Sequence, residues 1–144
     1  MSEKIILKQE GKQLNILGDH QLIKLTGKDT NGQLTTIYQN NPPNTQIPMH
    51  MHKNEDEVYK VVKGEVEFVV GSKTILLRSG DVIFLPRNIP HTWKVVGSTN
   101  AEVYLDILPA GLENMFEELH KLPPGPPDFP RVAEICGRYG VEFV

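Results

Sequence analysis

An all-β barrel followed by two short C-terminal α-helices is the architecture this sequence predicts, and three observations carry it. Residues 3–108 consist of short β-branched or alternating apolar runs broken by Gly, Pro, Asn and Asp, at the roughly ten-residue intervals of a sandwich or barrel. Helical spacing is absent from that stretch. It begins only after Pro109, where Leu112, Met115, Phe116, Leu119 and Leu122 recur at steps that place them on one helical stripe. A chain of 144 residues suits one domain, with the barrel at 3–108 and a helical extension at 109–144.

Taken in order, the first strands are expected at 4–7, 14–17 and 21–26, and the next at 34–39, after a TNGQ turn whose glycine accepts a positive φ. NNPPN then enforces an extended loop poor in ladder hydrogen bonds before a strand at 47–52. Strands at 57–62 and 65–70 follow; VGSK turns the chain into 74–78, and 81–85, 91–96 and 101–108 complete the set. In GLENMFEELHKL the apolar stripe lies opposite Glu113, Glu117 and Lys121. PPGPPDFP stops that helix. Asp128 then caps a second one, with Pro130 in its first turn, Gly140 at its end and Val132, Ile135, Cys136 and Tyr139 as its buried side.

The net charge of −3, with acidic and basic residues scattered, leaves no basic stripe for a phosphate backbone, so nucleic acid is not an expected partner. Near the N-terminus only Ile5, Ile6 and Leu7 form a continuous apolar run, too short for a signal core or a membrane span. A soluble, cytoplasmic protein without membrane partners is expected. Cys136 is the sole cysteine, which rules out an internal disulfide and reads as a small buried helix residue.

Chemistry concentrates in HMHKNEDE, residues 50–57. On a strand His50 and His52 share a face, while Met49 and Met51 point the other way. Two methionines outside a barrel call for cover by the terminal helices or by a second subunit, which makes a homodimer an expectation. Two adjacent imidazoles do not make a metal site alone; further donors must arrive from elsewhere, and Glu55, Asp56 and Glu57 all compete as the oxygen donor.

His50, His52, Glu57 and Gly64, with one, four and six residues between them, resemble the first sequence motif of the cupin superfamily. Gly80, Pro86 and His91, with five and four residues between them, resemble the second, and fifteen residues separate Gly64 from Gly80 as in small microbial cupins. The C-terminal tail looks like the helical extension of single-domain bacterial cupins of the quercetin dioxygenase-like group. This resemblance implies a jelly-roll barrel in which His50, His52, Glu57 and His91 bind one metal ion. Three imidazoles and a carboxylate suit divalent Fe, Mn, Ni, Co or Zn, with coordination positions left for substrate. Only Glu57 has the family spacing, so Glu55 and Asp56 are assigned to a solvated turn. Asn44 and Asn88 replace two motif glycines and tolerate a left-handed backbone, whereas Val95 replaces a motif asparagine whose role cannot be carried over. Pro90 fixes the chain just before His91.

Tyr59 and Trp93 alternate in phase with Glu57 and His91 and should face the cavity, as substrate contacts or as core filling. His20 and His120 match no motif and read as surface residues. The leading functional expectation is a metal-dependent dioxygenase acting on a small enol, diketone or aromatic molecule, with Glu57 as the proton acceptor. An oxygen-independent isomerase or lyase, or a non-catalytic ligand-binding barrel, are the alternatives. A stand-alone DNA-binding regulator is disfavoured because residues 109–144 are too few for a typical independent domain.

Overall fold

A computed structural model describes residues 1–144. The elements are β1 (Lys12–Ile16), β2 (Asp19–Leu25), α1 (Gly27–Thr30), β3 (Thr35–Asn41), β4 (His50–His52), β5 (Asp56–Lys63) and β6 (Glu65–Val70). They continue with β7 (Lys73–Leu77), β8 (Val82–Leu85), β9 (His91–Val96), β10 (Ala101–Leu108), α2 (Leu112–His120), α3 (Phe129–Arg138) and β11 (Val141–Phe143). Two antiparallel sheets form, in the orders β1-β2-β3-β10-β5-β8 and β11-β4-β9-β6-β7. This is the jelly-roll arrangement that the resemblance implied. No helix is long and apolar enough to cross a membrane.

Alternation explains the packing. Along β9 and β10 every second residue is buried, so Trp93 and Val95 from one sheet meet Val103, Leu105 and Ile107 from the other in one core. Tyr59 and Phe68 bridge the two sheets edge to face, with ring centroids 5.2 Å apart. Cross-strand rows run through the same layer, as where Leu105 stands between Ile37 and Tyr59. Each fully buried aliphatic side chain in such a row contributes about 1.5–3 kcal/mol.

Gly64, at the β5–β6 turn, has φ +81°, and a Cβ there would lie 2.5 Å from the Asn100 carbonyl oxygen, so both the conformation and the space require glycine. Asn44 and Asn88 adopt left-handed φ of 74° and 66°, as their replacement of motif glycines predicts.

Four expectations are corrected. Residues 4–7 form no strand; they lie outside the ladder, and the buried Lys24 ammonium holds the following segment by donating to the carbonyls of Leu7, Lys8 and Glu10. One helical turn, α1, interrupts the strand region, because Asp29 accepts from the Thr26 backbone N–H at 3.0 Å and Asn31 closes the turn with φ 54°. Glu113 is buried at 8% exposure instead of lying on a solvated face. Its carboxylate accepts from the Gly27 and Gly111 backbone N–H groups and the Thr35 hydroxyl, at 2.7, 2.6 and 2.7 Å, which ties α2 to α1 and β3. Finally, the extension at 109–144 holds a short strand besides its two helices. After α3, capped by Asp128 and burying Val132, Ile135 and Cys136, β11 pairs antiparallel with β4 beside the half-buried Met51. The chain's own tail therefore completes the sheet edge next to the methionines.

Candidate metal centre

Strand phase and pairing assemble the centre. β4 turns His50 and His52 to the interior, and the β4–β9 pairing sets His91 directly opposite His50. Glu57 enters from β5 in the other sheet, in the row that also holds Ile107 and Leu85. All four side chains are buried, and their candidate ligand atoms lie within 4.8 Å of one another. Glu57 Oε1 is 3.0 Å from both His52 Nε2 and His91 Nε2.

The loop before His91 is bolted to the segment carrying the other donors. Asp56 accepts from Arg87 through the backbone N–H at 2.8 Å and through Nε and Nη2 at 3.1 Å each. The Asn88 N–H donates to the His52 carbonyl at 2.7 Å. Glu55 corrects the solvated-turn assignment: it is 7% exposed, with Oε1 3.8 Å from His52 Nδ1, whereas Asp56 is half-buried in its pair with Arg87.

The donor set fits a cation. His50 Nδ1 donates to the Pro48 carbonyl at 2.8 Å and His91 Nδ1 to the Ile89 carbonyl at 3.1 Å; carbonyls only accept, so in each neutral ring Nε2 carries a lone pair. His52 Nε2, His91 Nε2 and Glu57 Oε1 are buried without a hydrogen-bond partner. Acceptor atoms crowded at such distances repel unless a proton or a metal ion stands among them. Backbone carbonyls fixing the outer ring nitrogens are the support that metal-binding imidazoles usually receive.

Without a metal, protons take up this imbalance. Burial pushes the His50 ring down to about 4, with His91 adding to the effect. For His52 burial also opposes the charge, yet the Glu57 carboxylate beside it prevails and lifts the ring to about 9. Burial alone would raise Glu57; the charged His52 ring beside it prevails and holds it well below the usual carboxylate range.

His50, His52 and Glu57 line a cavity of about 630 Å³, counting its open mouth. Tyr59 and Trp93 both line it, as their phase predicts. Burial, and then Glu57, push the Tyr59 phenol well above its ordinary range, so it stays protonated. Trp93 Nε1 is buried with no partner. Lys and Arg are missing from the lining, and thirteen of the twenty lining residues are hydrophobic. His20 and His120 are exposed, as expected.

Sequence reasoning missed much of this wall. Met115, Phe116, Cys136 and Phe143 bring the C-terminal extension onto the cavity, and Asp19, Gln21 and Gln39 line it from β2 and β3. A signal for the polar trio existed: Asp19 and Gln21 are in period-2 phase with Ile23, and Gln39 with Ile37, which puts polar side chains at inward positions.

A family model described as "Cupin domain" matches residues 37–108. The oxalate-binding protein of Thermotoga maritima is 31% identical over 61 residues, which cover 42% of this chain and 50% of that protein. The chain thus spans about half the length of that curated relative. Among solved structures, KdgF from Halomonas sp. superposes with a TM-score of 0.67 at 16% identity, over 78% of this chain and 99% of that one. An RmlC-like cupin from Shewanella frigidimarina gives 0.66 at 20% identity, over 78% and 96%. At such identities the two structures speak for the fold alone.

Proposed function

The chain belongs to the cupin family, and from that premise we propose that it is a metal-dependent oxygenase for a small enol, diketone or aromatic molecule. One observation carries the reading: three imidazoles and one carboxylate converge, and His50, His52 and Glu57 of that set stand on the wall of a mostly apolar cavity that no Lys or Arg lines. His50, His52, Glu57 and His91 would hold one divalent transition-metal ion. Such an ion supplies Lewis acidity toward a substrate oxygen and, where it is redox-active, electrons for dioxygen.

The protein's own groups do the rest. Glu57 is the ionised carboxylate at the centre and would accept the enol proton on swinging away from the ion. Tyr59 keeps its phenolic proton and offers a hydrogen bond toward the same space, and Trp93 presents its indole N–H. The apolar walls exclude water and favour a flat ligand. The oxalate-binding relative is named for a small dicarboxylate; the lack of Lys and Arg in this lining supports a neutral or singly ionised chelator instead.

The test is oxygen uptake. Protein purified without chelating resins and assayed for metal content is offered 1,3-diketones, enols and catechols in an oxygen-electrode cell. Uptake that matches substrate loss supports the oxygenase. Equal conversion under nitrogen overturns it in favour of Lewis-acid isomerase or lyase chemistry.

A further inference from the structure

A second polar group stands on the cavity wall formed by β2 and β3, separate from the four clustered donors. Gln21 and Gln39 face each other across the β2–β3 ladder, and Asp19 opens β2 beside them. Asp19 Oδ2 accepts from Gln21 Nε2 and from Gln39 Nε2 at 2.9 Å each, and Asp19 Oδ1 accepts from Asn41 Nδ2 at 2.8 Å. An ionised carboxylate only accepts, and with both glutamine nitrogens on Oδ2 and the Asn41 nitrogen on Oδ1 the Gln21 oxygen is turned away from Asp19.

That oxygen is the unexplained atom. Gln21 is 2% exposed, and its Oε1 is buried with no hydrogen-bond partner. The lock between β2 and β3 accounts for Asp19, Gln39 and Asn41, but it does not use Gln21 Oε1. An amide oxygen buried without a donor is costly, since its desolvation is not repaid. Such a cost is understandable where a ligand supplies the missing donor. Gln21 lines the same cavity as Trp93, whose indole N–H, like the clustered donors His52 and Glu57, has no partner there.

We infer that Gln21, oriented by Asp19, is a specificity-determining acceptor that selects planar ligands carrying a hydroxyl or N–H donor on the edge remote from their chelating oxygens. The inference rests on the metal-centred reading of the cavity and narrows its substrate class. Asp19 is a positioning residue, acting through the Gln21 amide.

Calorimetric titration of the Zn(II)-loaded protein with tropolone, 5-hydroxytropolone and 5-methoxytropolone tests it. All three chelate through the same pair of oxygens, and only the 5-hydroxy compound carries a remote donor. The expected result is binding of the 5-hydroxy compound about tenfold tighter than the other two, the size of one well-made hydrogen bond in a dry site. Gln21→Leu should erase that preference, so that the 5-hydroxy and 5-methoxy compounds bind it alike. Equal affinities of the hydroxy and methoxy compounds for the unaltered protein overturn the inference, and this comparison requires no variant to fold. A preference that survives in Gln21→Leu overturns it as well. Tropolone that fails to bind the Zn(II)-loaded protein at all would instead sink the metal-centred reading beneath it.

Discussion

His50 and His91 face each other across the β4–β9 ladder with ring centroids 4.5 Å apart, and each ring is pinned through Nδ1 to a carbonyl two residues before it. The geometry is prepared before any ion arrives. His91→Ala removes one of four donors and should weaken divalent-metal affinity on the order of 100-fold or more, beyond what loss of a merely supporting partner costs. In the metal-free protein the same change removes the Nδ1 bond to the Ile89 carbonyl and leaves a cavity at a fully buried position, so it should also lower the melting temperature. Metal content after dialysis and chelator-treated melting curves report the two effects. Full metal retention by His91→Ala would remove His91 from the ligand set.

The histidines set opposite pH limits on the metal-free fold. His52 is raised to about 9, so its pairing with Glu57 contributes stability that is complete below about 6.5, its ordinary value, and is lost as pH rises through about 9. His50 is lowered to about 4, so the unfolded chain binds the extra proton first, and stability falls as pH drops from about 6.5 toward 4. Melting temperature of chelator-treated protein should therefore peak near pH 6.5. A metal must displace the His52 proton, so the stabilisation that Zn(II) adds should grow as pH rises from 6 to 9. Zn(II) stabilisation that is flat across this range would contradict the proton-filled site.

The difference between what the sequence revealed and what it hid is physical. The barrel strands and the four donors were legible because strand alternation and fixed spacings are local properties of the chain. The fate of an acid in a turn is not local. Glu55 and Asp56 are neighbours, yet Asp56 pairs with Arg87 while Glu55 turns inward to His52, and the fold of the whole loop decides which does which. Glu113 sits on the polar side of its helix by period alone; it is buried because its donors come from Gly27 and Thr35, far earlier in the chain. β11 is three residues long and exists because β4 offers it an edge.

Glu113 gives a stability prediction. Burial would raise its carboxyl, but hydrogen bonds from Gly27, Thr35 and Gly111 outweigh burial and hold it below its ordinary value. Its contribution is thus present above about 4.5 and is lost as pH falls through the depressed value. Glu113→Ala leaves two backbone N–H groups and a hydroxyl without their acceptor and should cost about 1–3 kcal/mol at pH 7. Chemical denaturation at pH 7 and at pH 3 should show the gap between wild type and variant closing at the lower pH. A gap that stays constant would mean that the side chain acts by packing.

Two motif glycines should respond differently to the same substitution. At Gly80, φ is +93° and nothing lies within 4 Å of an added Cβ, so Gly80→Ala meets only the cost of a left-handed backbone, about 1–2 kcal/mol. At Gly64 the added Cβ would lie 2.5 Å from the Asn100 carbonyl oxygen and 2.8 Å from the Ala101 Cα, both backbone atoms that cannot swing aside. Gly64→Ala must therefore displace the β5–β6 turn from the start of β10 and should cost clearly more than Gly80→Ala. β5 carries Glu57, so the displacement should also weaken metal binding, whereas Gly80→Ala should leave it unchanged. Urea unfolding and metal titration of both variants separate the cases, and equal losses at the two positions would show that the close approach to Asn100 is not what requires glycine at Gly64.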